Sequence, residues 1–140
     1  FNLHGQKDRG RDDFRAIPNG GPGVEHRPVA IATSFEGQLG PEDLCRLMSE
    51  NPARVFGMYP RKGVIAPGSD ADIVVYDPEA DTVITAQTQL SAAGYTPYEG
   101  FVTAGGIREV WLRGRKTVEN GKVLDTVPAG MYLARGKCDL

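Results

Sequence analysis

Asn51-Pro-Ala-Arg-Val-Phe-Gly-Met-Tyr-Pro-Arg-Lys-Gly-Val-Ile-Ala-Pro-Gly-Ser-Asp-Ala-Asp-Ile-Val-Val-Tyr-Asp77-Pro78 is the stretch whose reading decides the fold, because helix punctuation gives way to strand punctuation within it. Asn51 is a good N-cap, Pro52 suits the first helical position, and Gly57 can close a short helix after Val55 and Phe56. From Lys62 onward helical spacing yields to short β-rich runs separated by Gly, Pro and Asp. That change puts a boundary between Pro60 and Gly68. Ile73-Val74-Val75-Tyr76, a continuous apolar run between Asp72 and Asp77-Pro78, is expected to be a buried strand.

Upstream, residues 1–23 are rich in polar residues, Gly and Pro with no sustained period, and read as a long loop. Val24 to Phe35 has a weak helical period after the Pro22-Gly23 break. Gly40-Pro41-Glu42-Asp43 opens a further helix through Leu44 to Met48, with Pro and two carboxylates suited to its first turn. Downstream, Thr82-Val83-Ile84-Thr85, Val110 to Arg113 and Lys116 to Val123 read as strands joined by tight turns. Asn120-Gly121 is a strong hairpin signal. The expected class is α/β, with helices first and a small antiparallel sheet second. After Pro128 the pattern weakens, and that tail is expected to fray or to dock on a neighbouring subunit.

The 140 residues are 40% hydrophobic and 24% charged, which fits a folded globular chain. A formal net charge of −2, with both signs interspersed, provides no field to hold a polyanion, so nucleic acid is not an expected partner. No run approaches the ~18 apolar residues of a membrane span, and Phe1 to Asp13 has no signal-peptide core. The expected compartment is the cytoplasm. Cys45 and Cys138 have no metal-binding spacing and read as free thiols. His4 and His26 lack the paired spacing of a metal site, so neither metal ligands nor catalytic residues are assigned within this chain.

Ile17-Pro18-Asn19-Gly20-Gly21-Pro22-Gly23-Val24-Glu25 is the segment best suited to hold a ligand. Consecutive turn-formers expose backbone N–H and C=O groups, and Asn adds a donor and an acceptor. A rigid turn capping the next helix is the plain alternative. The charged run Gln6 to Phe14 reads as a solvated face, and Arg61-Lys62 as a surface turn. Asp70 and Asp72 have the chemistry for a hard cation or for proton transfer, but their turn-and-strand context favours a structural role. His26 reads as a helix-start packing residue. Trp111, Tyr95, Tyr98 and Phe101 read as core or interface aromatics.

The opening stretch, with its Tyr-Pro-Arg-Lys-Gly and Gly-Ser-Asp-Ala-Asp elements, resembles a signature of the cyclic amidohydrolases, closest to the dihydropyrimidinases and D-hydantoinases. The Ile17-Pro18-Asn19-Gly20 loop, the Gln6–Phe14 run and Tyr98-Glu99-Gly100 also resemble that family, whereas Ser91-Ala92-Ala93 replaces a segment that often carries His there. The resemblance implies the end of a metal-dependent hydrolase (β/α) barrel (residues 1–60), part of a C-terminal β-sandwich (61–127) and a tail (128–140). It implies a binuclear zinc centre with every ligand upstream of Phe1, and a chain inert without its N-terminal remainder. The implied substrates are 5,6-dihydropyrimidines or hydantoins, opened to N-carbamoyl amino acids by an enzyme that is commonly a homotetramer. Asn19 is then the substrate-binding residue, holding the ring amide through its main chain. Collapsin response mediator proteins, non-catalytic members of the fold, share the downstream elements but typically carry an acidic residue at this position. A silent scaffold, an allantoinase and a dihydroorotase are the alternatives.

Overall fold

The computed structural model describes residues 5–124 and 130–138. Phe1, His4 and the two ends of the 128–140 tail lie outside the described residues, as does the end of the 61–127 segment. Residues 5–23 form a loop, as expected, although two short 3₁₀ turns, Gln6–Gly10 and Phe14–Ala16, give it local order. A further turn, Val24–His26, leads into helix α1, Arg27–Ser34, with Pro28 in its first turn and Val29 and Ala30 buried.

Helix α2, Pro41–Cys45, and helix α3, Asn51–Val55, are joined by a π-helical turn over Arg46–Glu50 into one continuous run. Asn51 therefore sits inside a helix and is not the N-cap that its side chain suggests. The reason lies in Pro52, whose missing N–H and bulky ring conflict with the carbonyl four residues earlier. The chain absorbs that conflict in one wide turn, where the Asn51 N–H reaches the Arg46 carbonyl, and so does not stop. The true start is at Gly40, whose N–H is accepted by the Asp43 carboxylate at 3.2 Å. Gly57, at φ +62°, ends the run as expected.

Strands β1 (Ile73–Asp77), β2 (Thr82–Val83), β3 (Val102–Thr103), β4 (Gly106–Leu112), β5 (Arg115–Glu119) and β6 (Lys122–Val123) follow. They make an antiparallel sheet in the order β1-β4-β5-β6 and a separate β2-β3 pair. Both sheet hairpins turn through two residues at positive φ, Arg113-Gly114 and Asn120-Gly121. This geometry matches the twist of the flanking strands and explains why Asn-Gly was informative. The expectation that Ile73–Tyr76 would be buried is overturned, since Val74 is 57% and Val75 36% exposed. β1 is an edge strand, and a bulge between Val75 and Tyr76 breaks the alternation of its faces.

The helical and β parts are joined by hydroxyl groups as well as by apolar packing. Val29, Ala30, Ala53, Ile84 and Ala93 are buried, and so are Thr103 and Thr117. The Thr33 hydroxyl, which donates to the Val29 carbonyl at 2.7 Å, accepts the Ala104 N–H at 2.9 Å and so ties α1 to the end of β3. The described part of the tail, 130–138, has no regular secondary structure and lies on its own chain: the Gly136 N–H donates to the Gly57 carbonyl at 2.7 Å. Among the described residues no helix is long and apolar enough to cross a membrane.

Candidate functional site

Three segments that the sequence marks separately, Ile17–Glu25, Ser91–Ala93 and Tyr98–Gly100, meet in space. Glu25 makes the first link. Its two carboxylate oxygens accept the Leu90 and Ser91 N–H groups at 2.8 and 2.9 Å, fixing the end of the loop to a segment sixty-five residues away. Tyr98 makes the second. Its ring lies edge-on to His26, centroids 6.0 Å apart, and edge-on to Phe101 at 6.2 Å. Gly23, at φ +131°, passes so close that a Cβ there would lie 3.1 Å from the Tyr98 ring. Glycine is thus required at this position both for the backbone conformation and for the close approach.

Asn19 is exposed at the surface of the loop thus anchored, beside Gly20 at φ +88°. From the other side the Lys7 ammonium donates to the Pro18 carbonyl and, at 2.6 Å, to the Gly20 carbonyl. The turn carrying Lys7 is seated on the loop, because a Cβ on Gly10 would fall 1.8 Å from Ile17 Cγ1. Phe14 is 79% and Val24 66% exposed, which leaves apolar surface flanking the loop. Among the clefts formed by the described residues, one is lined by Thr33, Glu36, Asp81 and Thr103 and another by Lys62, Asp72, Arg113 and Met131. Asn19 lines neither.

His26 is buried at a helix start, as its position suggested, and its Nε2 atom has no hydrogen-bond partner among the described residues. Among the described residues no three His, Cys, Asp or Glu side chains converge as a metal ion requires. The described residues do not fit a metal centre, and no chemistry through one is assigned to them. Cys45 and Cys138 are free thiols.

Asp70 and Asp72 act structurally. The Lys62 ammonium lies 2.9 Å from the Asp70 carboxylate and also contacts Asp72, and Arg61 Nε donates to Asp70 at 3.0 Å. Asp72 also accepts the Arg113 N–H at 2.7 Å and so holds the β4–β5 turn. The Lys62 hydrogen bond is the main cause that holds the Asp70 carboxyl below its ordinary value of 3.8. A depressed folded-state pKa contributes stability that is complete above the unfolded value and is lost as pH falls through the folded one. Acid titration of Asp70→Asn should accordingly show a shallower loss of stability below about pH 4 than the parent. Identical acid limbs would remove this assignment.

A model of the amidohydrolase family matches residues 24–123. The chain is 46% identical over 136 residues to the D-hydantoinase of Ralstonia pickettii, covering 96% of this chain and 30% of that enzyme. It is 39% identical to the D-hydantoinase of Geobacillus stearothermophilus, with 98% and 30% covered. Among solved structures, the dihydropyrimidinase of Brevibacillus agri superposes with a TM-score of 0.83 at 39% identity, over 89% of this chain and 27% of that one. The L-hydantoinase of Arthrobacter aurescens superposes with a TM-score of 0.71 at 32% identity, over 85% and 27%. The chain therefore spans about 30% of the length of the curated relatives it matches.

Proposed function

Since the chain belongs to the amidohydrolase family, we propose that it is part of a hydantoinase or dihydropyrimidinase, an enzyme that opens the amide bond of a small cyclic imide to give an N-carbamoyl amino acid. In this reading residues 1–60 close a (β/α) barrel, 61–127 supply part of a β-sandwich and 128–140 form a tail. A binuclear zinc centre belongs to the remaining part of the enzyme, and the whole works as a homotetramer in the cytoplasm. The role of this chain is to hold the ring. Main-chain groups at Asn19 bind its amide and orient one carbonyl for attack, which reduces the entropic part of the barrier.

The observation that carries the reading is the bracing of the Asn19 loop. Lys7 grips the carbonyls on either side of Asn19, while Glu25 and Tyr98 fix the far end. A backbone that is to recognise a flat amide must be held rigid before the ligand arrives, or its ordering subtracts from affinity. The exposed Phe14 and Val24 support it further, as surface for the remainder of the enzyme to cover.

The complete polypeptide, assayed against hydantoin, dihydrouracil, allantoin and dihydroorotate, is the test. Saturable ring opening of hydantoin or dihydrouracil is expected, with kcat/KM roughly a hundredfold above that for the other two. Preference for allantoin or dihydroorotate, or turnover of none of the four, would defeat the proposal, the last result pointing to a silent scaffold. The 140-residue chain alone, supplied with zinc, is expected to match a metal-only control.

A further inference from the structure

Lys7 lies in a charged run that reads as solvated surface, yet it is only partly exposed and its ammonium is spent on two main-chain carbonyls. Those carbonyls belong to Pro18 and Gly20, the neighbours of Asn19 on either side, eleven and thirteen residues from Lys7. An ammonium has three donors on a compact head, so one lysine can bridge two acceptors that converge on a point. Each carbonyl belongs to the peptide plane that its residue shares with the next, so the bridge holds the planes between Pro18 and Asn19 and between Gly20 and Gly21. The first of these carries the Asn19 N–H; the plane carrying the Asn19 carbonyl lies between the two and is confined from both ends.

We infer that Lys7 is a positioning residue for substrate binding: it sets the direction of the Asn19 main-chain N–H, confines the carbonyl that follows, and does not itself touch the ring. The inference rests on the reading of Asn19 as the ring-amide contact. Charged hydrogen bonds are the stronger kind, so their loss should loosen the loop. Glu25 and Tyr98 hold the loop's other end independently.

The test uses the complete enzyme with hydantoin or dihydrouracil, whichever it turns over. Lys7→Met is expected to raise KM roughly tenfold to thirtyfold with kcat within about threefold, the pattern of lost binding shared by ground and transition states. Lys7→Arg, which keeps the charge and two or more donors, should recover at least half of that loss on a logarithmic scale. Asn19→Pro serves as the reference for the loop itself. If Asn19→Pro raises KM and Lys7→Met does not, the Lys7 inference is overturned while the Asn19 reading stands. If neither raises KM, both are overturned. A fall in melting temperature accompanied by a lower apparent kcat and an unchanged KM would mark Lys7 as merely structural and also overturn the inference. Combining Lys7→Met with Asn19→Pro should add little to Asn19→Pro alone, because both act on one backbone contact.

Discussion

In the complete enzyme Asn19→Pro is expected to lower kcat/KM roughly tenfold to a hundredfold, whereas Asn19→Ala should stay within about threefold of the parent. The contrast follows from the proposal that the main chain, and not the side chain, of Asn19 makes the contact. Alanine keeps the residue-19 N–H and C=O and removes only the side-chain amide. Proline removes the N–H itself, and a ring carbonyl that loses its donor inside a closed site forfeits about 1–3 kcal/mol. Neighbouring Gly20 adopts φ +88° and is left intact in both variants, so neither imposes strain at that position. Steady-state kinetics with both variants settles the matter. Equal losses would assign the work to the Asn19 side chain, and unchanged kinetics in both would remove the loop from the substrate site.

The second large effect is on stability. Gly63→Ala should destabilise the fold by about 2–4 kcal/mol, the range for an L side chain forced into a left-handed and crowded position. Gly63 has φ +84°, and a Cβ there would lie 2.6 Å from Ala53 Cβ and 2.9 Å from the Ser49 carbonyl. These atoms belong to the π turn and to α3 and cannot rotate away as a side-chain tip would. Gly68 is the matched control. It has φ +91°, but nothing lies within 4 Å of its Cβ position, so Gly68→Ala should cost only the backbone penalty of about 1–2 kcal/mol. Urea midpoints for the two variants should therefore separate clearly. If Gly63→Ala proves no worse than Gly68→Ala, the close approach of the loop to the helix is not what selects glycine there.

Much of this architecture was legible in the sequence because it is written in local chemistry. Asn120-Gly121 announces a hairpin since both residues tolerate positive φ, and Gly57 announces a helix end for the same reason. Where two local signals competed, the sequence misled. Asn51 looked like a cap and Pro52 like a first-turn residue, but the chain upstream was already helical and answered the proline with a π turn. Val74 and Val75 looked buried because apolar runs usually are. Consecutive strand residues point to opposite faces, so both faces of β1 are open at Val74 and Val75, which a single run does not encode. The candidate site divides in the same way. The glycine-rich loop around Asn19 could be found by inspection, and Glu25 and Tyr98 lie in segments already marked. Lys7 could not be found, because nothing in its own neighbourhood indicates that its head group reaches across to Pro18 and Gly20.

The Glu25 carboxylate has a consequence for how the molecule matures. Its two acceptor bonds close a span of sixty-five residues that contains α1, α2, α3 and the first strand of the sheet. Closing so long a span is entropically unfavourable until the intervening elements have already compacted. The bracing of the Asn19 loop is therefore expected late, and a chain still emerging during synthesis would carry that glycine-rich bend untethered until the Leu90 region had been made and docked.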